Sequence, residues 1–217
     1  MKHVLVTLLV AILSISAYGQ DVSDHFSRKN ALKLSPFEFA QAEFQFSYER
    51  YFGERNTSLS IVPSIILQDA GQESKNGFQI MGQYRFYLSH LRNDQQKIVL
   101  GIHNFGFYAG VYALYLDYAE DYIRGYNEPF TYQWVEKVYT TDVGSIEGGA
   151  MLGLQIDLTK RIVVDIYVGG GIRKSEVNDT IFDDPNQPNI YNETYGIFDK
   201  EYTGVKPRAG FQFGFTF

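Results

Sequence analysis

Apolar and polar residues alternate along the C-terminal segment of this chain. From Val205 to Phe217 every odd position is apolar, and the even positions carry charged, polar or glycine residues. A period of two is that of a β-strand, whose successive side chains point to opposite faces. The pattern predicts a strand with one face suited to lipid and one face that is not.

Six further segments are interpreted as strands. Five of them alternate in the same way: residues 41–52, 58–67, 78–86, 142–157 and 161–173. The sixth, residues 97–117, is less regular because the tract from Phe105 to Leu116 is apolar on both faces, which a bulge or tapered packing would explain. The alternation alone therefore predicts seven strands.

The connections between these strands differ in length and set the orientation. The turn at Thr159–Lys160 is tight, whereas residues 118–141, rich in Tyr, and residues 175–203, rich in Asp and Glu, form long connections. In bacterial barrels short turns lie in the periplasm and long loops lie outside. We therefore expect 118–141 and 175–203 to be surface loops and the last strand to run inward, ending at Phe217.

An eighth strand is required because a single-chain barrel with both termini on one side has an even number of strands. Counting back from the last strand makes 41–52 an inward strand, so an outward strand must precede it. Asn30–Ser35, with Leu32 and Leu34 in alternation, is the candidate that stops before Pro36. The predicted fold is an all-β, eight-stranded, antiparallel, up-and-down transmembrane β-barrel. Its remaining connections are Gly53–Asn56, 69–76 and Ser89–Gln96.

The N-terminus has the pattern of a cleavable signal peptide. Lys2 and His3 give a basic start, Val4 to Leu13 is apolar apart from Thr7, and Ala17-Tyr18-Gly19 places small residues at the cleavage positions. A retained membrane anchor is the alternative, but the apolar run is shorter than the roughly 20 residues that a spanning helix needs. We expect a signal peptide at 1–19 and one barrel domain at 20–217.

Composition narrows the function classes. The chain has no cysteine, so disulfides, thiolate metal sites, cysteine catalysis and an N-terminal lipid anchor on cysteine are excluded. A net charge of −6 argues against a nucleic-acid partner. With 17 Tyr and 17 Phe the chain is rich in aromatic residues, as expected of a sheet that meets two membrane interfaces.

These features resemble the small, mostly uncharacterised outer-membrane β-barrel proteins common in Bacteroidota-type bacteria. The resemblance lies in Gln20 after the proposed cut, the block Asn30-Ala31-Leu32-Lys33-Leu34, the later Tyr48-Glu49-Arg50 before a short turn, and the last strand closing on Phe217. It implies the outer membrane of a Gram-negative bacterium, with membrane lipid and the barrel-insertion machinery as partners. It further implies that the insertion signal is Phe217, supported by Phe213 and Phe215.

Eight charged residues fall on the predicted inward faces, four acids and four bases. We interpret them as a polar network in the lumen: Glu43, Glu49, Arg85, Glu147, Asp165, Arg173, Lys206 and Arg208. A polar pore or a ligand site is one reading. An ion-paired plug is favoured, because an eight-stranded barrel is only just wide enough for side chains to fill it and the charges balance.

No catalytic, cofactor or metal site is predicted. The mature histidines His25, His90 and His103 lack a serine at suitable spacing. The leading hypothesis is a non-enzymatic outer-membrane barrel that serves envelope integrity or makes surface contacts, with unidentified partners, through its long loops. The alternatives are a narrow channel for small solutes, a lipid-modifying enzyme dependent on His103, and a soluble secreted barrel with a ligand inside.

Overall fold

The computed structural model describes residues 28–217 apart from 93–103, 128–130, 181–195 and the single positions 54, 70, 72, 132, 160 and 198. The predicted signal peptide lies outside the described residues. Within them, eight strands form one closed antiparallel sheet in which each strand pairs with the next and the last pairs with the first. The strands are β1 (Asn30–Leu34), β2 (Glu43–Phe52), β3 (Thr57–Asp69), β4 (Glu73–Arg92), β5 (Asn104–Asn127), β6 (Trp134–Asp157), β7 (Ile162–Thr180) and β8 (Gly204–Thr216).

The prediction of an all-β fold with eight antiparallel strands in a closed ring is thus confirmed for the described residues. We call the end of the barrel that carries the β7–β8 connection the loop end. The opposite end, where β1 begins and β8 stops, is the terminal end.

A short 3₁₀ helix, Pro36–Gln41, connects β1 to β2, and these two strands pair directly with each other in the sheet. Proline suits the first turn of a helix because its φ is already fixed and its missing N–H would have had no partner there. The segment ends at Ala42, whose left-handed backbone (φ 55°) turns the chain into β2. No helix in the described part of the chain is long and apolar enough to cross a bilayer.

The two faces of the sheet differ in polarity. On β3, Ile61 is 46 % exposed and its neighbour Ser60 is fully buried. On β7, Val168 is 59 % exposed, whereas Asp165 has no exposed surface. Because neighbours in a strand point to opposite faces, apolar side chains cover the outside, whereas the inside holds charged and polar side chains together with tyrosines and a smaller number of aliphatic ones.

The prediction of a loop over 118–141 is wrong for most of its length. β5 and β6 continue as a paired hairpin up to the Asn127–Trp134 pair. The rings of Tyr122 and Tyr139 stack across this extension with their centroids 5.5 Å apart. Polar and aromatic residues occupy both faces here, so the ladder persists where the amphipathic alternation that marks a strand has ended.

Three other predicted connections are shorter for the same reason. β3 extends to Asp69 and β4 begins at Glu73, so only three residues separate the two strands in place of the predicted loop over 69–76. β4 also extends to Arg92, into the predicted turn at Ser89–Gln96, and β7 extends to Thr180. Paired backbone thus continues beyond the segments that alternate.

The tract from Phe105 to Leu116 is apolar on both faces because aromatic and aliphatic side chains also point inward. The buried inward side chains are those of Tyr108, Tyr112, Leu114 and Leu116. A bulge exists, but it lies in the partner strand, where the register of β4 against β5 shifts between Tyr87 and Ser89.

Closure of the ring can be tested with a disulfide because the chain contains no cysteine. Ala31 pairs with Thr216, and the adjacent pair, Asn30 and Phe217, exchanges both backbone hydrogen bonds. Ala31 and Thr216 are therefore a non-hydrogen-bonded pair, in which side chains approach most closely.

We expect Ala31→Cys/Thr216→Cys to oxidise in the folded protein, as seen by mass spectrometry and non-reducing gels. The control Ala31→Cys/Ala209→Cys, with its second thiol on the outer face, should stay reduced. Oxidation of the control alone would contradict this closure.

Candidate functional site in the barrel interior

Four charged side chains meet at the centre of the interior, and we call them the central cluster: Lys33, Glu49, Arg85 and Asp165. They come from β1, β2, β4 and β7, and each occupies an inward position of its strand. All four side chains are fully buried. Two cations and two anions therefore form a neutral set without contact with solvent.

The ion pairs of the central cluster are short and shared. The ammonium of Lys33 lies 2.5 Å from Glu49 Oε2 and 2.7 Å from Asp165 Oδ2. The guanidinium of Arg85 lies 2.5 Å from the same Asp165 oxygen and 3.4 Å from Glu49. Each charge thus has two partners of opposite sign, which removal from water requires.

Hydrogen bonds satisfy the remaining atoms of these carboxylates. The hydroxyl of Tyr108 donates to Asp165 Oδ1 at 2.7 Å, and that of Ser58 donates to Glu49 Oε1 at 2.5 Å. Arg85 donates to the amide oxygen of Gln83 at 2.9 Å and lies over the ring of Tyr108, 4.5 Å from its centroid. A buried ion pair is tolerated when such bonds complete it.

Below the central cluster, the terminal end is closed by a further pair. Arg55 Nη1 lies 3.1 Å from Asp157 Oδ2, and both side chains are almost fully buried. The guanidinium of Arg55 also covers the ring of Tyr51 at 4.7 Å. The floor of the interior is therefore filled by side chains.

A second group lies towards the loop end, and we call it the Glu147 cluster: Glu147, Arg173 and Arg208. Arg173 Nη2 lies 2.7 Å from Glu147 Oε2, and Arg208 Nε lies 3.2 Å from Oε1. The hydroxyl of Tyr112 also donates to Oε1, at 2.6 Å. Two guanidinium groups therefore share one carboxylate, and Arg208 keeps 16 % of its side chain exposed.

Residues 199–203 lie across the mouth at the loop end, and we call them the mouth segment. Lys200 reaches in to Glu43, 3.0 Å from Oε2, and its carbonyl accepts a hydrogen bond from Arg173 at 3.0 Å. Lys206 donates to the carbonyl of Asp199 at 2.6 Å. The segment thus contributes a charge and two backbone acceptors to the interior.

Tyrosines fold over glycines on neighbouring strands throughout the interior. Gly153 faces Tyr108 across the β5–β6 ladder, and a Cβ at this glycine would lie 2.2 Å from the ring. Gly210 faces Tyr167 across the β7–β8 ladder with the same separation. The missing side chains leave space for these rings against the wall, and the hydroxyl of Tyr108 reaches Asp165.

All eight residues of the predicted polar network belong to inward positions, but they do not form one network. Glu49, Arg85 and Asp165 are in the central cluster, and Glu147, Arg173 and Arg208 form the second cluster. Glu43 pairs with Lys200, and Lys206 contacts the mouth segment.

Four charged participants in these ion pairs were not predicted: Lys33, Arg55, Asp157 and Lys200. Lys33 alternates with Leu32 and Leu34, so the pattern that predicted β1 could have found it. Lys200 lies in a segment without periodicity, and no signal in the sequence points to it.

The predicted insertion-signal phenylalanines and the histidines lie outside these clusters or outside the described residues. Phe213 and Phe217 are exposed on the outer face near the β1–β8 junction, and the rings of Phe215 and Phe217 lie 5.8 Å apart. Their role as an insertion signal stays a prediction. His90 lies in β4, whereas His25 and His103 are outside the described residues.

The chemistry of the interior is that of a satisfied ionic core. Among the described residues, the only buried side-chain polar atoms without a hydrogen-bond partner are Asp157 Oδ1 and Gln212 Oε1. No group of three or more potential metal ligands occurs in the described part of the chain. The central cluster can hold strands in register and exclude water.

No protein-family model matches the chain, and neither the curated proteins nor the solved structures contain a significant match.

We expect Arg85→Met to lower the free energy of unfolding by about 3–5 kcal/mol, because Glu49 and Asp165 would then share only Lys33 in a buried site. Urea unfolding of the protein refolded in detergent micelles measures this. The control Lys174→Met breaks the exposed pair with Glu176 and should change stability little. Equal effects of the two variants would contradict a structural role for the central cluster.

We also expect Gly153→Ala to destabilise the barrel by about 1–3 kcal/mol, because the new methyl group displaces Tyr108 and breaks its hydrogen bond to Asp165. The same unfolding assay measures the loss. Gly82→Ala is the matched control, since a Cβ at this strand glycine would meet nothing within 4 Å. A neutral Gly153→Ala would show that the ring does not depend on this space.

Proposed function

We propose that the chain is a non-enzymatic outer-membrane β-barrel protein that contributes to envelope integrity or makes contacts through the segments at its loop end. The observation that carries the proposal is the difference between the two faces of the sheet. Exposed apolar side chains cover the outer face, and buried ion pairs occupy the centre of the interior. Closure of the sheet pairs the backbone around most of the ring, and a bilayer favours such pairing because it offers no water as a partner. A soluble protein rarely exposes a contiguous apolar surface of this extent.

The extent of the apolar surface supports the proposal. On β7 the outward residues from Ile162 to Ile172 are apolar, and the exposed pair of Lys174 and Glu176 follows. Such a length of strand rises about 33 Å and, at the usual tilt, spans about 25 Å, the height of the apolar band in outer-membrane barrels.

Aromatic side chains at the edges of this band also support it. Exposed phenylalanines lie near the terminal end, among them Phe52, Phe86 and Phe217. Towards the loop end the exposed rings of Phe78 and Tyr115 lie 5.9 Å apart. Aromatic girdles at both interfaces are typical of transmembrane barrels.

The contents of the interior argue against the alternatives. The central cluster and the Arg55–Asp157 pair occupy the path that a channel for small solutes would need. A soluble barrel for an apolar ligand would need an apolar lumen, whereas the centre holds four buried charges. No described side-chain arrangement favours a lipid-modifying enzyme over a structural role.

Fractionation and electrophysiology test the proposal. The full-length chain, expressed in a Gram-negative host, should be recovered in the outer-membrane fraction and should migrate differently on gels before and after boiling. The purified protein should give no steady conductance in planar bilayers. Recovery in the soluble periplasm without a migration shift would favour the ligand-binding barrel instead, and porin-like currents would favour the channel.

A further inference from the structure

The wall of the barrel is incomplete where β8 meets β1. β1 has five residues, and β8 has 13. Only Phe213–Thr216 of β8 pair with β1, through Ala31–Leu34. The part of β8 from Gly204 to Gln212 therefore has a paired neighbour on its β7 side alone. We call this unpaired edge of β8, with the 3₁₀ helix beside it, the seam.

The backbone groups at the seam can be assigned from the hydrogen bonds nearby. Phe217 exchanges backbone bonds with Asn30 of β1, whereas Thr216 donates to Arg161 on the β7 side. Odd-numbered residues of β8 therefore direct their N–H and C=O towards β1, and even-numbered ones towards β7. Among the described residues, no backbone hydrogen bond reaches the odd positions from Val205 to Phe211.

Pro207 is one of these odd positions. Its nitrogen faces the seam, so the missing N–H removes no bond from the β7–β8 ladder. Proline in a strand is typical of an edge whose N–H side has no strand partner. It also disfavours addition of a further strand, because a carbonyl of the added strand would find no N–H donor at Pro207.

The seam lies within the apolar surface of the barrel. Val205 at its loop end is 66 % exposed, and Pro207 and Ala209 are exposed as well. A sheet edge at this depth is not tolerated against lipid unless it lines a cavity or is covered by protein. The 3₁₀ helix covers part of it: the ring of Phe37 lies 5.4 Å from that of Phe211 but remains 69 % exposed.

Cationic side chains lie directly behind the seam. Arg208 stands between the edge residues Pro207 and Ala209 and points to the interior, where it shares Glu147 with Arg173. Lys206 is within electrostatic reach of all three. Glu38 of the 3₁₀ helix is half-buried and within electrostatic reach of Arg208, but no described ion pair joins them.

We propose, building on the proposed function, that the seam is a lateral entrance through which an anionic amphiphile of the bilayer reaches the Glu147 cluster. Its acidic head group binds Arg208, with Arg173 and Lys206 nearby, and its acyl chain leaves the barrel past Phe37 and Phe211. The central cluster closes the site below, and the mouth segment covers it above. Glu38 follows Phe37 in the 3₁₀ helix beside the seam, and its carboxylate repels the acidic head group.

Photolabelling tests this with two probes that differ only in charge: a fatty acid with a diazirine near its carboxyl group, and the corresponding fatty alcohol. Each is incorporated into vesicles that contain the heat-modifiable protein, and labelled peptides are mapped by mass spectrometry. The acid should label inward residues beside the seam, such as Gly210 and Gln212, and the alcohol only the outer wall. Equal labelling of the wall by both probes would overturn the proposal.

Two substitutions that remove a charge should change interior labelling by the acid in opposite directions. Arg208→Gln should reduce interior labelling by the acid about tenfold, the loss expected for one charge-assisted hydrogen bond. Glu38→Gln should increase interior labelling by the acid, because a carboxylate that repels the head group is removed. Neither should change labelling by the alcohol, and a parallel change with both probes would indicate altered folding and contradict the assignment.

Closing the seam provides the control for the route. In the cysteine-free chain, Phe37→Cys/Phe211→Cys can be joined by a cleavable bismaleimide. The linker should abolish interior labelling by the acid, and reduction should restore it. The same linker on Tyr48→Cys/Ile61→Cys, a β2–β3 pair, should have no effect.

Two further outcomes are decisive. Labelling that persists with the seam closed would show entry from the mouth, and linkage of two copies through these cysteines would show that a second chain occupies the seam. In both cases a retained migration shift on boiling would leave the proposed function standing while the entrance is rejected. Recovery as a soluble protein would reject the proposed function itself.

Discussion

The ion pairs of the central cluster are the interaction on which the remaining structure depends. Lys33, Glu49, Arg85 and Asp165 come from four different strands, and their side chains meet only if the sheet closes in one register. A slip of one residue in any of these strands would move its charge to the apolar outer face. Removal of one member leaves an uncompensated buried charge, so the cluster penalises incorrect registers strongly.

This constraint explains how the interior is filled. A barrel of eight strands has room for side chains and little else. The charged side chains occupy the centre, and tyrosine rings that pack over glycines fill the space between these charges and the sheet. Tyr108, for example, lies over Gly153 and donates a hydrogen bond to Asp165. Long polar side chains and bare backbone are thus complementary parts of one packing arrangement.

Alternation of apolar and polar residues predicted seven of the eight strands, because the two faces of the sheet differ in polarity. The eighth strand, β1, followed from the even number of strands that a closed barrel requires. The alternation placed Glu49, Arg85 and Asp165 inside. It failed where that contrast ends: the hairpin extension of β5 and β6 up to Asn127 and Trp134 pairs through backbone bonds with polar residues on both faces. Alternation also cannot tell which inward charges meet, because contact between Lys33 and Asp165 depends on ring closure. The position of Lys200 depends on how the mouth segment folds.

The seam follows from the same geometry. β1 ends at Leu34, one residue after Lys33, its member of the central cluster. The chain then enters the 3₁₀ helix and does not extend β1 further along β8. β8 cannot end at the same height, because Arg208 must reach Glu147 and Gln212 must reach Ser35. One strand is therefore long and its neighbour short, and the difference exposes a backbone edge. Pro207 at that edge indicates that the sequence accommodates an unpaired strand there, so the sheet is continuous at its terminal end and has an unpaired edge towards its loop end.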